Sequence, residues 1–150
     1  MSKTTIKLLH RIAAITSFLL VLSFFTSSIM VELFGDITNI VMVKTAILCG
    51  ICALIPAMAI TGITGAKMAG KCNKGPIAQK KKRMPFIAIN GLFILLPCAF
   101  YLFYLASNQQ FTTTFYIVQV IELIAGFTNL TLMALNIRDS RKKSKKVGHP

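Results

Sequence analysis

The sequence predicts an all-α integral membrane protein, a four-helix bundle of four transmembrane helices with both termini cytoplasmic (N-in/C-in). Three observations lead there. Of 150 residues, 55% are hydrophobic and only 14% charged, a balance too apolar for an ordinary water-soluble domain. Crossing a hydrocarbon core of ~30 Å takes about 20 apolar residues as a helix. Residues 12–31, 45–66 and 84–107 carry no charge, and 111–137 carry only Glu122. Finally, 17 Lys and Arg face 4 Asp and Glu, for a formal charge of +13, and the basic residues sit between the apolar runs. The spans fall at 12–33, 41–66, 84–106 and 114–137, with a basic cytoplasmic loop at 67–83 and a basic tail at 138–150. A single membrane domain accounts for residues 1–150.

The first span follows Lys3, Lys7 and Arg11 and could be mistaken for a signal peptide. Its apolar stretch is too long and no small-residue cleavage site follows, so it reads as a retained helix. The second span contains Lys44 near its start and Pro56 in its interior. Pro85 follows the run Lys80, Lys81, Lys82 and Arg83, where a missing N–H costs nothing if the third helix begins there. Pro56 and Pro97 are interior; each should bend its helix and free a carbonyl four residues back. Tyr101, Tyr104 and Tyr116 cluster at the outer ends of the third and fourth spans as a partial aromatic belt.

Orientation follows from the basic residues, which stay cytoplasmic. Lys3, Lys7 and Arg11 precede the first span. Lys67, Lys71, Lys74 and the run 80–83 lie between the second and third, and Arg138, Arg141, Lys142, Lys143, Lys145 and Lys146 follow the fourth. These are sixteen of the seventeen. The segments around Glu32 and Asp36 and at 107–114 therefore face outward.

Polar groups in hydrocarbon are expensive, so their angular placement is informative. On the fourth span Gln119, Glu122, Gly126, Asn129, Met133 and Asn136 recur at steps of three and four and share an arc of about 100°. Ile117, Ile121, Ile124 and Leu135 lie opposite, on a face suited to lipid. A related stripe on the first span holds His10, Ala14, Ser17, Val21, Ser28 and Glu32. The two stripes are expected to face each other inside the bundle and to satisfy their polar groups by interhelical hydrogen bonds. Asn90 and Asn129 lie at matching depths of roughly 10–13 Å from the inner boundary, so a hydrogen bond between them is geometrically allowed.

Lys44 and Glu122 also match in depth. Against an ion pair, Lys44 projects ~140° from the small face Ala46, Gly50, Ala53 and Ala57, the face expected to pack closely. Snorkelling of Lys44 towards the outer surface, or contact with another subunit, is the favoured reading. Glu122 then has no fixed partner and reads first as a hydrogen-bonded structural residue, with proton or cation handling as the alternative. His10 reads as an interfacial histidine. Lys80, Lys81, Lys82, Arg83, Arg141, Lys142, Lys143, Lys145 and Lys146 are candidates for contact with anionic lipid headgroups.

Several classes are excluded or weakened. Nucleic-acid binding needs a basic face on a folded scaffold, which this distribution lacks. Cys49 and Cys52 lie three apart in an apolar segment without the context of a redox or zinc motif, and Cys72 and Cys98 complete no metal set, so all four read as small packing residues. No metal or cofactor is expected. A cytochrome b561-type bundle needs paired histidines, whereas only His10 lies near a span and His149 is in the tail. The motifs of the eicosanoid and glutathione membrane transferases are missing, and small multidrug-resistance transporters carry their essential Glu in the first helix.

The segments Leu9-His10-Arg11-Ile12, Val31-Glu32-Leu33-Phe34-Gly35-Asp36, Lys82-Arg83-Met84-Pro85-Phe86-Ile87-Ala88-Ile89-Asn90-Gly91 and Glu122-Leu123-Ile124-Ala125-Gly126 through Asn136-Ile137-Arg138-Asp139 resemble those of small bacterial four-span inner-membrane proteins with no assigned activity. The resemblance covers nearly the whole chain and implies a bacterial plasma-membrane location.

No catalytic set stands out, so the expected function is that of a non-enzymatic accessory or self-associating membrane component, partnered by the lipid bilayer and by copies of itself or a larger membrane complex. The alternatives are a small proton- or cation-coupled transporter using Glu122, with Glu32 and Asp36 at its outer mouth and Asn90 and Asn129 lining the path, and a haem-binding redox module using His10.

Overall fold

The structure, a computed structural model, describes residues 2–69 and 76–147, with side chains for 2–68 and 78–140. Lys71, Cys72, Lys74 and His149 lie outside the described residues, as do the side chains of Arg141, Lys142, Lys143, Lys145 and Lys146. The described residues are all-helical: α1 Lys3–Phe34, α2 Ile37–Ala69, α3 Pro76–Asn90, α4 Leu96–Ser107 and α5 Thr113–Val147. A π turn, Gly91–Leu95, joins α3 to α4. These segments make four helical rods, each long and apolar enough to cross a membrane.

The rods run up and down, so the start of α1, the end of α2, the start of α3 and the end of α5 share one end, here the basic end. The opposite loop end holds the two tight connections. Ser2 starts α1 by accepting the Thr5 amide at 3.2 Å, and Asp36 starts α2 through the Asn39 amide at 2.8 Å, each satisfying a donor the first turn leaves open. Between them stands Gly35, where a Cβ would lie 2.6 Å from both the Val31 side chain and the Val31 carbonyl oxygen. The tight α1–α2 corner has no room for a larger residue.

The third rod starts earlier than the sequence suggests. Pro85 lies inside α3, and the basic run 80–83 is helical and not part of a loop. Lys and Arg are good helix formers, and Lys80 and Arg83 both find partners on α5, which holds the extra turns against the bundle. The π turn ends two residues before Pro97, with the Leu96 amide bonded to the Gly91 carbonyl. A proline ring clashes with the carbonyl four residues back; the wider turn upstream relieves that crowding.

The apolar core is divided into blocks. At the loop end Val31, Ile40, Leu102, Leu105, Ala106 and Phe115 pack together. In mid-bundle Ile47, Ile51 and Ala99 form a second group with Phe24 alongside. Towards the basic end Val21, Ile87, Leu130 and Met133 form a third. α5 packs against α1, α3 and α4. Its outer face, with Ile117, Ile121 and Ile124, is exposed as expected, although Leu135 is half-buried. Elsewhere the exterior also carries large exposed apolar side chains, among them Leu19, Phe34, Met42, Ile63, Phe93 and Phe100.

The packing face of α2 differs from the expectation. Ala46 and Ala53 of the small face are exposed, and the buried line is Ile40, Lys44, Ile47 and Ile51, spaced at four, three and four. Cys49 and Cys52 are exposed too, so they are not packing residues. Bulky apolar side chains bury more area against α1 and α4 than alanines would, and they carry Lys44 inward with them.

Candidate functional site

Three polar layers alternate with the apolar blocks along the bundle, the last of them beyond the basic-end block. Glu122, Asn129 and Asn136 mark them on α5 at seven-residue intervals, about 10 Å apart along the axis. All three residues are buried.

The loop-end layer is centred on Lys44, whose side chain is only 1% exposed. Its Nζ donates to Glu122 Oε2 at 2.9 Å, to Gln119 Oε1, and to Ser28 Oγ at 3.5 Å. An ammonium has three donors, and all three are used. Gln119 Nε2 also donates to Glu122 Oε2 at 3.1 Å. Lys44 therefore forms the ion pair that the sequence had disfavoured in preference to snorkelling. The reason is the packing face of α2: with Ile40, Ile47 and Ile51 inward, Lys44 points at α5. Glu32 stands one turn beyond Ser28, close enough to feel the charges of both Lys44 and Glu122, and its Oε1 is buried with no hydrogen-bond partner. Asp36 is exposed and caps α2.

In the middle layer Asn90 Nδ2 donates to Asn129 Oδ1 at 2.9 Å and to the Ala125 carbonyl at 2.8 Å. Asn129 Nδ2 returns a long contact to the Ile87 carbonyl at 3.4 Å. Gly91 opens the π turn here; a Cβ on it would lie 3.5 Å from Asn129 Nδ2, so the amide rests against bare backbone. The sequence brought these two asparagines to one depth, and the structure joins them.

The basic-end layer assembles His10, Thr61, Thr64, Lys80, Asp139 and Ser140. Thr64 Oγ1 donates to the Ile60 carbonyl, so it accepts from His10 Nδ1 at 3.0 Å. That places the ring proton on Nδ1, with Thr61 O also within 3.2 Å. His10 Nε2 then accepts from Lys80 Nζ at 3.5 Å, and Lys80 donates to Ser140 Oγ at 3.0 Å. Both ring nitrogens are engaged, and a haem iron would have to displace Lys80 to reach Nε2. Arg83 Nη1 donates to Asp139 Oδ2 at 2.8 Å, while Arg138 Nε reaches Asp139 Oδ1 at 3.4 Å. Asn136 is buried, and its Oδ1 has no partner.

The two stripes foreseen on α1 and α5 thus meet through intermediaries. Lys44 of α2 links Ser28 to Glu122, and Lys80 of α3 links His10 to Ser140. Direct α1–α5 packing includes Phe25 against Phe127, ring centroids 6.3 Å apart, and Phe25 against Gly126. Ser17 turns back on its own helix, donating to the Ala13 carbonyl at 2.8 Å. Of the basic residues assigned to lipid headgroups, Lys80 and Arg83 spend donors on α5, while Lys81 and Lys82 are exposed. Asp139, Ser140, Thr61 and Thr64 were not singled out in the sequence; a lone acid within a basic cluster was the available signal for Asp139. Among the described residues no group of three or more His, Cys, Asp or Glu is placed to hold a metal ion.

Fold and site together define an all-helical protein of four long apolar rods with ionic and amide layers enclosed between them. The chain matches no family model, and neither a curated protein nor a solved structure matches it at a significant level.

Proposed function

We propose that this chain is a multi-pass protein of a bacterial plasma membrane, N-in/C-in, and that it acts without catalysis as an accessory or self-associating component. The single observation that carries the reading is the inversion of polarity: large apolar side chains cover the exterior, while Lys44, Glu122, Asn90 and Asn129 bond to one another within. In water such an exterior would drive aggregation. In lipid it is the solvated face, and enclosed polar pairs join the helices. Orientation rests on the basic residues gathered at one end, and the bacterial location rests on the resemblance of the segments around His10, Glu32, Asn90 and Glu122.

Self-association is supported by the outer face of α2. Ala46 and Ala53, seven residues apart on one side of the helix, are exposed there. Small residues let a second helix approach closely. Transport through Glu122 is less favoured, because Lys44 and Gln119 already occupy that carboxylate. Lys82, whose side chain is exposed, and the basic residues of the tail are the groups to meet anionic headgroups.

Crosslinking in native membranes, followed by mass measurement after mild solubilisation, tests the role: a defined oligomer or complex is expected, and a lone monomer refutes it. Reporter fusions at Gly75 and Gln109 should report opposite compartments. Finding both in one compartment overturns the topology.

A further inference from the structure

We propose that the loop-end layer is a proton-binding site, and that Glu32, rather than Glu122, holds the exchangeable proton. The inference starts from a charge count. Two carboxyl groups, Glu32 and Glu122, share this layer with one ammonium, Lys44. Lys44 is fully used by Glu122, Gln119 and Ser28, and Glu122 Oε2 receives both Lys44 and Gln119. That half of the layer is neutral as a pair.

Glu32 is the remainder. Its Oε1 is buried and no donor reaches it. A charged carboxylate would hold one buried oxygen without a donor, beside an ammonium whose three N–H groups are spent elsewhere, whereas a carboxylic acid leaves Oε1 as an ordinary carbonyl oxygen and makes the whole layer neutral. The charged groups that act on Glu32 are Lys44 on α2 and Glu122 on α5. The chemistry of the site selects a proton over a metal ion, because Lys44 already fills the cation position and would repel a second free cation.

Access comes from the loop end. Glu32 is two residues from the end of α1 at Phe34 and is only half-buried as a residue. Binding forms an O–H bond on the carboxylate with a proton from the aqueous phase at that end; release breaks the same bond and returns the proton there. No electrons move.

The experiment is infrared spectroscopy of the full-length protein in lipid nanodiscs at neutral pH, reading the C=O stretch of protonated carboxyl groups and its shift in deuterium oxide. The chain has only 4 Asp and Glu. Asp36 is exposed and Asp139 is held by two arginines, so the assignment lies between Glu32 and Glu122. Wild type should show one exchangeable protonated carboxyl per chain. Glu32→Gln should abolish it. Glu122→Gln should abolish it as well, since Lys44 is then released to Glu32. Lys44→Met should double it. A wild-type spectrum without the band overturns the proposal, as does a band that survives Glu32→Gln, which would assign the proton to Glu122. Should Lys44→Met fail to fold, the two near-isosteric Gln variants decide the matter alone.

Discussion

Substituting Asn90 and Asn129 singly and together isolates the interhelical bond of the middle layer. Asn90→Ala removes the 2.9 Å bond to Asn129 and the 2.8 Å bond to the Ala125 carbonyl. The first is a short amide–amide bond in an apolar span. Such bonds average about 0.6 kcal/mol in membrane proteins and reach about 1.7. Asn129 is 1% exposed, so water cannot replace the lost partner, and a coupling near 1 kcal/mol is expected, in the upper part of that range. The single Asn90→Ala change should cost about 1–2 kcal/mol, the sum of one strong bond and one to a carbonyl already bonded within its helix. Asn129→Ala should cost more, about 2–3 kcal/mol, because it also empties space against Gly91. The assay is reversible unfolding in mixed micelles titrated with SDS and followed by circular dichroism. If the double variant equals the sum of the singles to within about 0.3–0.5 kcal/mol, the two residues are not coupled and the account of this layer fails.

Two further outcomes follow from the packing. Lys44→Met leaves Glu122 without its counter-ion and should destabilise by about 3–5 kcal/mol, whereas Lys44→Met combined with Glu122→Leu should recover most of that loss; equal losses in the same micelle assay would show that the pair does not act as a unit. Glycines on α2 should separate by position. Gly62→Ala meets nothing within 4 Å and should raise stability by about 0.5–1 kcal/mol, while a Cβ on Gly50 would lie 2.4 Å from the tip of the Phe24 ring and should lower it by about 1–3 kcal/mol. Thermal midpoints of the two variants in detergent should move in opposite directions.

Much of the bundle is legible in the chain itself. The buried face of α5 is the stripe read from Gln119 to Asn136, because a helix has a fixed period and only one side of this one could hide its polar groups. The Asn90–Asn129 bond was legible for the same reason, each asparagine being countable in turns from a basic boundary. Lys44 departs from the expectation by pairing with Glu122. The small face of α2 was expected to pack, yet Ile40, Ile47 and Ile51 do, and the same spacing of four, three and four places Lys44 on the buried line. That pattern was present in the chain, but choosing between two helix faces needs knowledge of what stands opposite each. Pro85 misled in a similar way: proline at the start of a helix is favourable, but partners on α5 for Lys80 and Arg83 repay extending the helix through it.

From its sequence alone, this protein was bound to be four apolar helices with their basic flanks at one end, because hydrophobic length and charge distribution are properties of single segments. Which side chains meet was decided only by tertiary structure. Whether Lys44 finds Glu122, whether His10 finds Lys80, and which carboxyl is left without a partner depend on the rotation of each helix about its axis, and that rotation is set by packing among all four.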